Sequence, residues 1–357
     1  MIPKYINKIA CLHPYIEGRY NEITQKLYPR HHLWATEAIN NVQNFKSFDL
    51  TVNSIKIPSI IETFLNRSIF RGSPGTKIEI GALVTSFRSD FIYSVCGPLA
   101  LSNFYPLKLI SWVFGLPPDL GEGFKLAHRA YRPKNLKAHA GFLCLTPKAE
   151  KYYAKFAPSK FIPWCVDMEM FDGKPPKEKT NQPFFLASGK TGRDFDTLIK
   201  AAQSTKAEIR VIGPKNQKLD DMPNNVTWID TSSNPPDQAI DYLTLKEWYA
   251  QCSGVCIPLS GDAEDTCGYT NMLEGMAMRK PVIMTRSGCL HVDPASRNFG
   301  MLVEPGDSQA WSNAMNRILN DETFALESGE NGRIIAEQEF SIERFNSNVV
   351  SFISKLI

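Results

Sequence analysis

The chain has 357 residues, enough for two domains of ordinary size. Hydrophobic residues make up 43% and charged residues 22%, which excludes a disordered or fibrous chain. The net charge of +3 is unevenly spread: residues 1–160 hold 21 basic and 10 acidic side chains, the remainder 19 and 27, so the two parts stand at +11 and −8. A basic first part suits an anionic partner, such as a membrane surface, a lipid phosphate or an acidic acceptor, or is only a solvated face.

Short apolar runs alternate with helical patterns along the chain, the mark of parallel α/β units. "KIACLHPY" (8–15) reads as a first buried strand, and its N-terminal surroundings contain no signal-peptide core. "TKIEIGALVTSF" (76–87) reads as a helix, followed by strands at 91–95, 107–114 and 141–146. The longest apolar region, 94–118, is broken by Pro98, Asn103, Pro106 and Lys108, so it is not a membrane span. "GFKLAHRAYRPKNLKAHA" (123–140) and "PKAEKYYAKF" (147–156) read as helices. A Pro- and Lys-rich linker follows, centred on 173–183. A second series then begins: strand 184–188, a helix from about Asp194, strands 208–213 and 225–230, helix 243–251, strand 254–259, a helix opening on Thr270 or Asn271, and strand 281–285. The expected organisation is a first Rossmann-like domain over 1–166, a linker over 167–182 and a second over 183–340, doubly wound and facing each other across a cleft. The final stretch, 341–357, carries an apolar stripe that suits packing back on the first domain, local packing or contact with a membrane.

Two stretches carry chemistry. In "ASGKTGRDFDTLIKA" (187–201), Gly189 and Gly192 allow a tight turn between a strand and a helix, with Lys190 and Arg193 at the junction. Two cations beside a helix start suit a diphosphate, although a solvated turn is the simpler account and the spacing is not that of a Walker A loop. In "GDAEDTCGYTNMLEGMAMRKPVI" (261–283), Glu274 lies one turn inside a helix among Met272, Leu273, Met276 and Met278. A lone buried carboxylate costs several kcal/mol, so it needs a partner. Paired sugar hydroxyls or a nearby Lys or Arg would serve. The eight cysteines show no CxxC pair and no zinc spacing, and Cys252 and Cys256 read as buried thiols of a protein in a reducing compartment. No His/Asp cluster has metal-ligand spacing.

These stretches resemble the nucleotide-sugar domain of GT-B glycosyltransferases, in particular the family-4-like retaining group. "GYTNMLEGMAMRKPVIMTRSG" (268–288) resembles its helix–strand motif and "GKTGRDFDTLIKA" (189–201) its phosphate loop. "KFIPWCVDMEMF" (160–171) resembles the end of its first domain, and "GMLVEPGDSQAWSNAMNRILND" (300–321) its later strand and helix. The resemblance implies that Glu274 holds ribose hydroxyls, that Lys190 and Arg193 meet the diphosphate, and that the amides of Thr270, Asn271 and Met272 cradle its distal phosphate, with Gly189 and Gly268 also among the donor-binding residues. Base contacts are expected near Gly213 and Ile229–Asp230. The family's second acid falls on Thr266 here, so its role passes to Glu264 or Asp265 beside it. The first part matches only in rhythm: "YPRHHLWATEAI" (28–39) replaces a glycine turn and "WVFGLPPDLGEG" (112–123) replaces a histidine segment. His128 is the catalytic histidine candidate, and His31 and His32 are acceptor-side candidates. The implied activity is metal-free and cofactor-free transfer of a hexosyl group, with retention, from a nucleoside-diphosphate sugar (UDP first) to a glycan, lipid-linked or small-molecule acceptor, in the cytoplasm and near an anionic membrane face. No nucleic-acid partner is implied. A silent nucleotide-sugar-binding partner subunit and a sugar-nucleotide epimerase are the alternatives.

Overall fold

The structure is a computed structural model describing residues 7–16, 18–42, 45–49, 55–104, 108–117, 129–177, 182–231, 240–261, 266–286 and 291–356. The chain divides into two compact units: 1–21, 32–163 and 343–357 form the first, and 22–31 with 164–342 form the second. Residues 22–31, which the sequence leaves inside the first domain, therefore group with the second.

The first unit is a six-stranded sheet of β1 (Asn7–Leu12), β2 (Phe45–Asp49), β3 (Phe91–Ser94), β4 (Lys108–Val113), β5 (His139–Cys144) and β6 (Ser159–Phe161). Its spatial order is β2-β1-β3-β4-β5-β6, and every neighbouring pair is parallel. Parallel strands are covered on both faces, which is why they read as unbroken apolar runs. The helices around it are α1 (Tyr20–Thr24, straddling the boundary at Asn21), α2 (Thr36–Asn40), α3 (Ser59–Arg67), α4 (Thr76–Ser86), α5 (Pro133–Leu136) and α6 (Pro147–Tyr153). Thr146 caps α6 by accepting from the Ala149 amide at 3.1 Å, and Pro147 occupies its first turn.

The expected helix over 123–140 does not form as one element. Its first part lies outside the described residues. Pro133 starts the separate helix α5 after an extended Arg132, and β5 begins at His139. β2 and α3 were not anticipated, and both are short.

The second unit repeats the theme with β7 (Phe184–Ser188), β8 (Glu208–Gly213), β9 (Val226–Asp230), β10 (Gly254–Ile257), β11 (Val282–Thr285) and β12 (Gly300–Val303), ordered β12-β11-β10-β7-β8-β9 and all parallel. Its helices are α7 (Phe195–Ala202), α8 (Tyr242–Gln251), α9 (Tyr269–Ala277), α10 (Ser308–Asn320) and α11 (Glu322–Glu339). Phe185, Phe195, Leu198, Trp311 and Met315 close a core between sheet and helices, each worth roughly 1.5–3 kcal/mol when fully buried. Cys252 and Cys256 are buried free thiols.

The last helix, α12 (Ile342–Leu356), belongs from Glu343 onward to the first unit. Phe345, Val349 and Ile353 are buried, and Phe345 stacks on Trp112 with ring centroids 5.4 Å apart. The apolar stripe is thus engaged by the first unit's own core. No described helix is long and apolar enough to cross a membrane.

Candidate functional site

In each sheet the strand order reverses once, between β1 and β3 in the first unit and between β7 and β10 in the second. The carboxyl ends of strands at such a reversal leave a crevice for ligands. In the second unit the loops leaving β7 and β10 are joined across that point. The Asp194 amide donates to the Pro258 carbonyl at 3.2 Å and the Ser260 amide to the Gly192 carbonyl at 3.0 Å. Beside this junction lies a solvent-open pocket of about 160 Å³, whose lining includes Gly189, Lys190, Ile212, Thr231, Tyr242, Leu245, Thr270, Asn271 and Glu274.

The floor is the start of α9. The helix opens at Tyr269, one residue earlier than expected, on a left-handed Gly268 with φ of 82° and no side-chain cap. A Cβ at Gly268 would stand 2.4 Å from the Ile257 side chain, so geometry and space both demand glycine there. The amides of Thr270 and Asn271 fall in the first turn, where a helix supplies no acceptors, and they suit an anion. The Met272 amide does not: it donates to the Gly268 carbonyl at 2.9 Å, and its side chain is fully buried.

The turn after β7 forms one wall. The Gly189 amide donates to the Ile212 carbonyl at 3.0 Å, so it holds the turn rather than a ligand. Gly189 has φ of 150°, and a Cβ on it would come within 2.3 Å of the Arg193 guanidinium, which lies directly over it. Arg193 donates to the Ser188 carbonyl at 3.2 Å, to the Thr191 carbonyl at 3.0 Å and to Asn271 Oδ1 at 2.9 Å. It therefore braces the loop against α9, whereas the exposed Lys190 lines the pocket itself.

Glu274 is 2% exposed and lines the same pocket. Its hydrogen bond comes from the Tyr249 hydroxyl, which donates to Oε2 at 2.8 Å, and no salt bridge to Glu274 occurs among the described residues. Burial pushes its carboxyl up to about 8, while the Tyr249 contact pulls the other way. The acid is therefore mostly neutral at pH 7 in the empty pocket. Among the described residues the bond from Tyr249, and not the ion-pair alternative, is what meets it.

Two residues were missed. Tyr249 is a fully buried tyrosine on α8, and its role follows only from packing. Thr231 follows β9 at 6% exposure, and its Oγ1 is buried with no hydrogen-bond partner among the described residues. A ligand entering this pocket would satisfy that hydroxyl. Ile212 and Thr231 form the strand-end wall where Gly213 and Ile229 were expected. Gly213 accepts from the Thr231 amide at 3.0 Å, and Ile229 pairs with Ile212 in the sheet. Asp230, the last residue of β9, is paired with Gly213.

The remaining candidates separate. Glu264, Asp265 and His128 lie outside the described residues. His31 is 1% exposed in the second unit, packed against Trp164 and Phe171, with Nδ1 accepting from the Asp167 amide at 3.2 Å. Burial lowers its pKa to about 3. It is a packing histidine and does not present an edge to an acceptor. His32 is half-buried, and its carbonyl meets His13 Nε2 at 2.5 Å. His13 follows β1 at the first unit's reversal point, and nearby the Tyr20 hydroxyl donates to Asp49 at 2.8 Å, just at the end of β2. Burial lowers the His13 pKa to about 4. The available signal was a histidine immediately after the first apolar run. Among the described residues no group of three or more His, Cys, Asp or Glu side chains is placed to hold a metal ion.

Two parallel six-stranded sheets of this kind, each with its own reversal point, define the GT-B fold. Residues 187–321 match a family model described as "Glycosyl transferases group 1". Over whole chains the fold is similar to sucrose-phosphate synthase of Thermosynechococcus elongatus, at TM-score 0.62, 16% identity and coverage of 98% of this chain and 99% of that one. It is also similar to a glycosyltransferase of Rickettsia africae, at 0.62, 15% and 99% of both chains. Anabaena HepE in complex with UDP and glucose aligns at 0.59 and 15%, covering 98% of this chain and 100% of that one. Among curated proteins none matches the chain.

Proposed function

We propose that the chain is a glycosyltransferase that transfers a hexosyl group from a nucleoside-diphosphate sugar, UDP-linked in the first instance, to an acceptor hydroxyl. The observation that carries this reading is Glu274: a buried acid with no ion pair among the described residues, opening on a pocket that also holds the first turn of α9 and Lys190. Ribose hydroxyls donate to the carboxylate, the diphosphate lies against the α9 amides and Lys190, and the base reaches the Ile212–Thr231 wall. UDP in the HepE complex, a protein similar in fold, supports uracil as the base.

In the reaction, C1 of the sugar exchanges its bond to the distal phosphate oxygen for a bond to the acceptor oxygen. The acceptor's proton leaves with the departing diphosphate. Negative charge grows on the phosphates, and preorganised positive groups stabilise it. Lys190 and the α9 amides do so directly, and the Arg193 charge acts from behind the turn. These groups do the work without a metal or another cofactor. Retention of configuration is proposed on the family resemblance of 187–201 and 268–288. On the acceptor side, the His13, Tyr20 and Asp49 group replaces the His31/His32 pair as the first choice.

The test is incubation with UDP-, GDP- and ADP-sugars, reading released diphosphate with and without acceptor. Acceptor-dependent release supports a transferase. Binding without release marks a silent subunit, and sugar conversion without release marks an epimerase. A thermal-shift screen narrows the donor first, because a ligand at 100 times its Kd stabilises by about 2.7 kcal/mol.

A further inference from the structure

Arg193, Asn271, Tyr249 and Glu274 form one chain of hydrogen bonds. Arg193 Nη2 donates to Asn271 Oδ1 at 2.9 Å, Asn271 Nδ2 donates to the Tyr249 hydroxyl at 3.4 Å, and that hydroxyl donates to Glu274 Oε2 at 2.8 Å. The polarity runs one way. Arginine can only donate, which fixes the Asn271 amide with oxygen toward the cation and nitrogen toward the phenol. Each dipole then strengthens the next. The residues come from the β7–α7 turn, α8 and two positions of α9 three apart, hence on one face of that helix. Phe171 meets the Tyr249 ring edge-on at 5.9 Å and 86°, so the phenol lies in a packed aromatic setting.

Resting on the nucleotide-sugar reading, we propose that Tyr249 and Asn271 are positioning residues: they aim the Glu274 carboxylate at the ribose and tie that aim to the diphosphate end of the same pocket. With Oε2 held by Tyr249, Oε1 is the oxygen presented to the sugar. A ligand that settles beside the Arg193 turn then meets an acid already oriented some residues away.

The experiment measures binding of UDP, ADP and GDP by calorimetry, then of the 2′,3′-dideoxy counterpart of whichever binds. Wild type is expected to favour the ribose form by at least 100-fold. Tyr249→Phe lowers that preference about tenfold, the worth of one buried hydrogen bond, while dideoxy affinity stays within twofold. A merely structural tyrosine would weaken both ligands equally, which would overturn the proposal. Arg193→Gln weakens both ligands and also lowers the preference. The Arg193→Gln/Tyr249→Phe pair loses no more preference than Tyr249→Phe alone. Fully additive losses would sever the tie. Asn271→Leu, at a half-buried position, gives the same preference loss if Tyr249→Phe fails to fold. Wild type that binds none of the three diphosphates sinks the nucleotide-sugar reading itself. Wild type that prefers ribose with variants that keep that preference sinks only the chain.

Discussion

In the second unit the polar groups at the strand ends come from two short stretches: Gly189, Lys190 and Arg193 fall within five residues, and Thr270, Asn271 and Glu274 within another five. In the first unit the corresponding contacts span the chain. His13 meets the His32 carbonyl across 19 positions, Tyr20 meets Asp49 across 29, and Tyr93 meets the Trp34 carbonyl across 59. Trp34 and Ala35 are moreover consecutive left-handed residues that are not glycine, with φ of 49° and 63°. Such backbone costs of order 1 kcal/mol or more each and needs surrounding structure to hold it. A strand–turn–helix site can be moved between sequences as a motif, whereas a site gathered by tertiary packing cannot.

The sharpest way to break this comparison is to disable one unit and ask what the other keeps. Glu274→Ala should weaken donor binding on the order of 100-fold, because both ribose hydroxyls lose their buried hydrogen-bond partner. Lys190→Ala and Arg193→Ala should each lower turnover by a similar factor. Titration of donor against each folded variant, with initial rates, reads both effects. Near-normal turnover in Arg193→Ala with unchanged folding would contradict the role given to the turn.

Thr231→Val sharpens the second unit alone. It is isosteric and removes a buried hydroxyl that has no hydrogen-bond partner among the described residues. Nucleotide affinity should fall about tenfold while the unliganded protein gains on the order of 1 kcal/mol. Opposite signs in the two measurements identify a ligand contact. A loss in both would make Thr231 a structural residue.

Tyr93→Phe is the counterpart in the first unit. Its hydroxyl accepts from Trp112 Nε1 at 2.6 Å and donates to the Trp34 carbonyl at 2.5 Å, inside a buried layer. Removing it should cost about 2 kcal/mol, seen as a lower Tm, with nucleotide affinity unchanged. A drop in nucleotide affinity would show that the strained segment serves both units.

The same contrast explains what the chain disclosed before its structure. The strands β7 and β8, the start of α7 on Asp194, and the placement of Lys190 and Glu274 follow from local pattern, since Asp194 accepts from the Thr197 amide at 3.1 Å as its spacing implies. The availability of the amides was not legible. Gly268 starts α9 one residue early and so engages the Met272 amide, which no periodicity reveals. Nor was Tyr249, whose value lies in a partner 25 positions away. His31 and His32 drew attention because two adjacent histidines suggest chemistry, yet burial between Trp164 and Phe171 makes His31 part of a core. His13, alone and followed by proline, held the strand-end position instead.

The smallest effect is a pH dependence that separates the buried acid from the buried histidines. Burial lowers His13 and His139 to about 4, His31 to about 3 and His291 to about 4. From those values up to about 7.5 the unfolded chain holds the extra protons, so stability rises with pH, steeply below 6.5 and more gently above it. Glu79, raised to about 6, is mostly deprotonated by pH 7. Glu274 works in the opposite sense. From 4.5 to about 8 the folded chain keeps a proton that the unfolded chain has released, so stability falls as pH rises through that window. Between pH 6.5 and 7.5 the histidines of the unfolded chain still titrate and oppose Glu274, but they are shared with Glu274→Gln, so the difference between the two proteins reports Glu274 alone. Wild type should lose about 1 kcal/mol there relative to Glu274→Gln, a gap in Tm that widens by roughly 2–4 °C. Near pH 4.5 the two proteins should melt together. Parallel melting curves through neutral pH would mean that the carboxylate is already charged in the empty pocket, with a cation beside it.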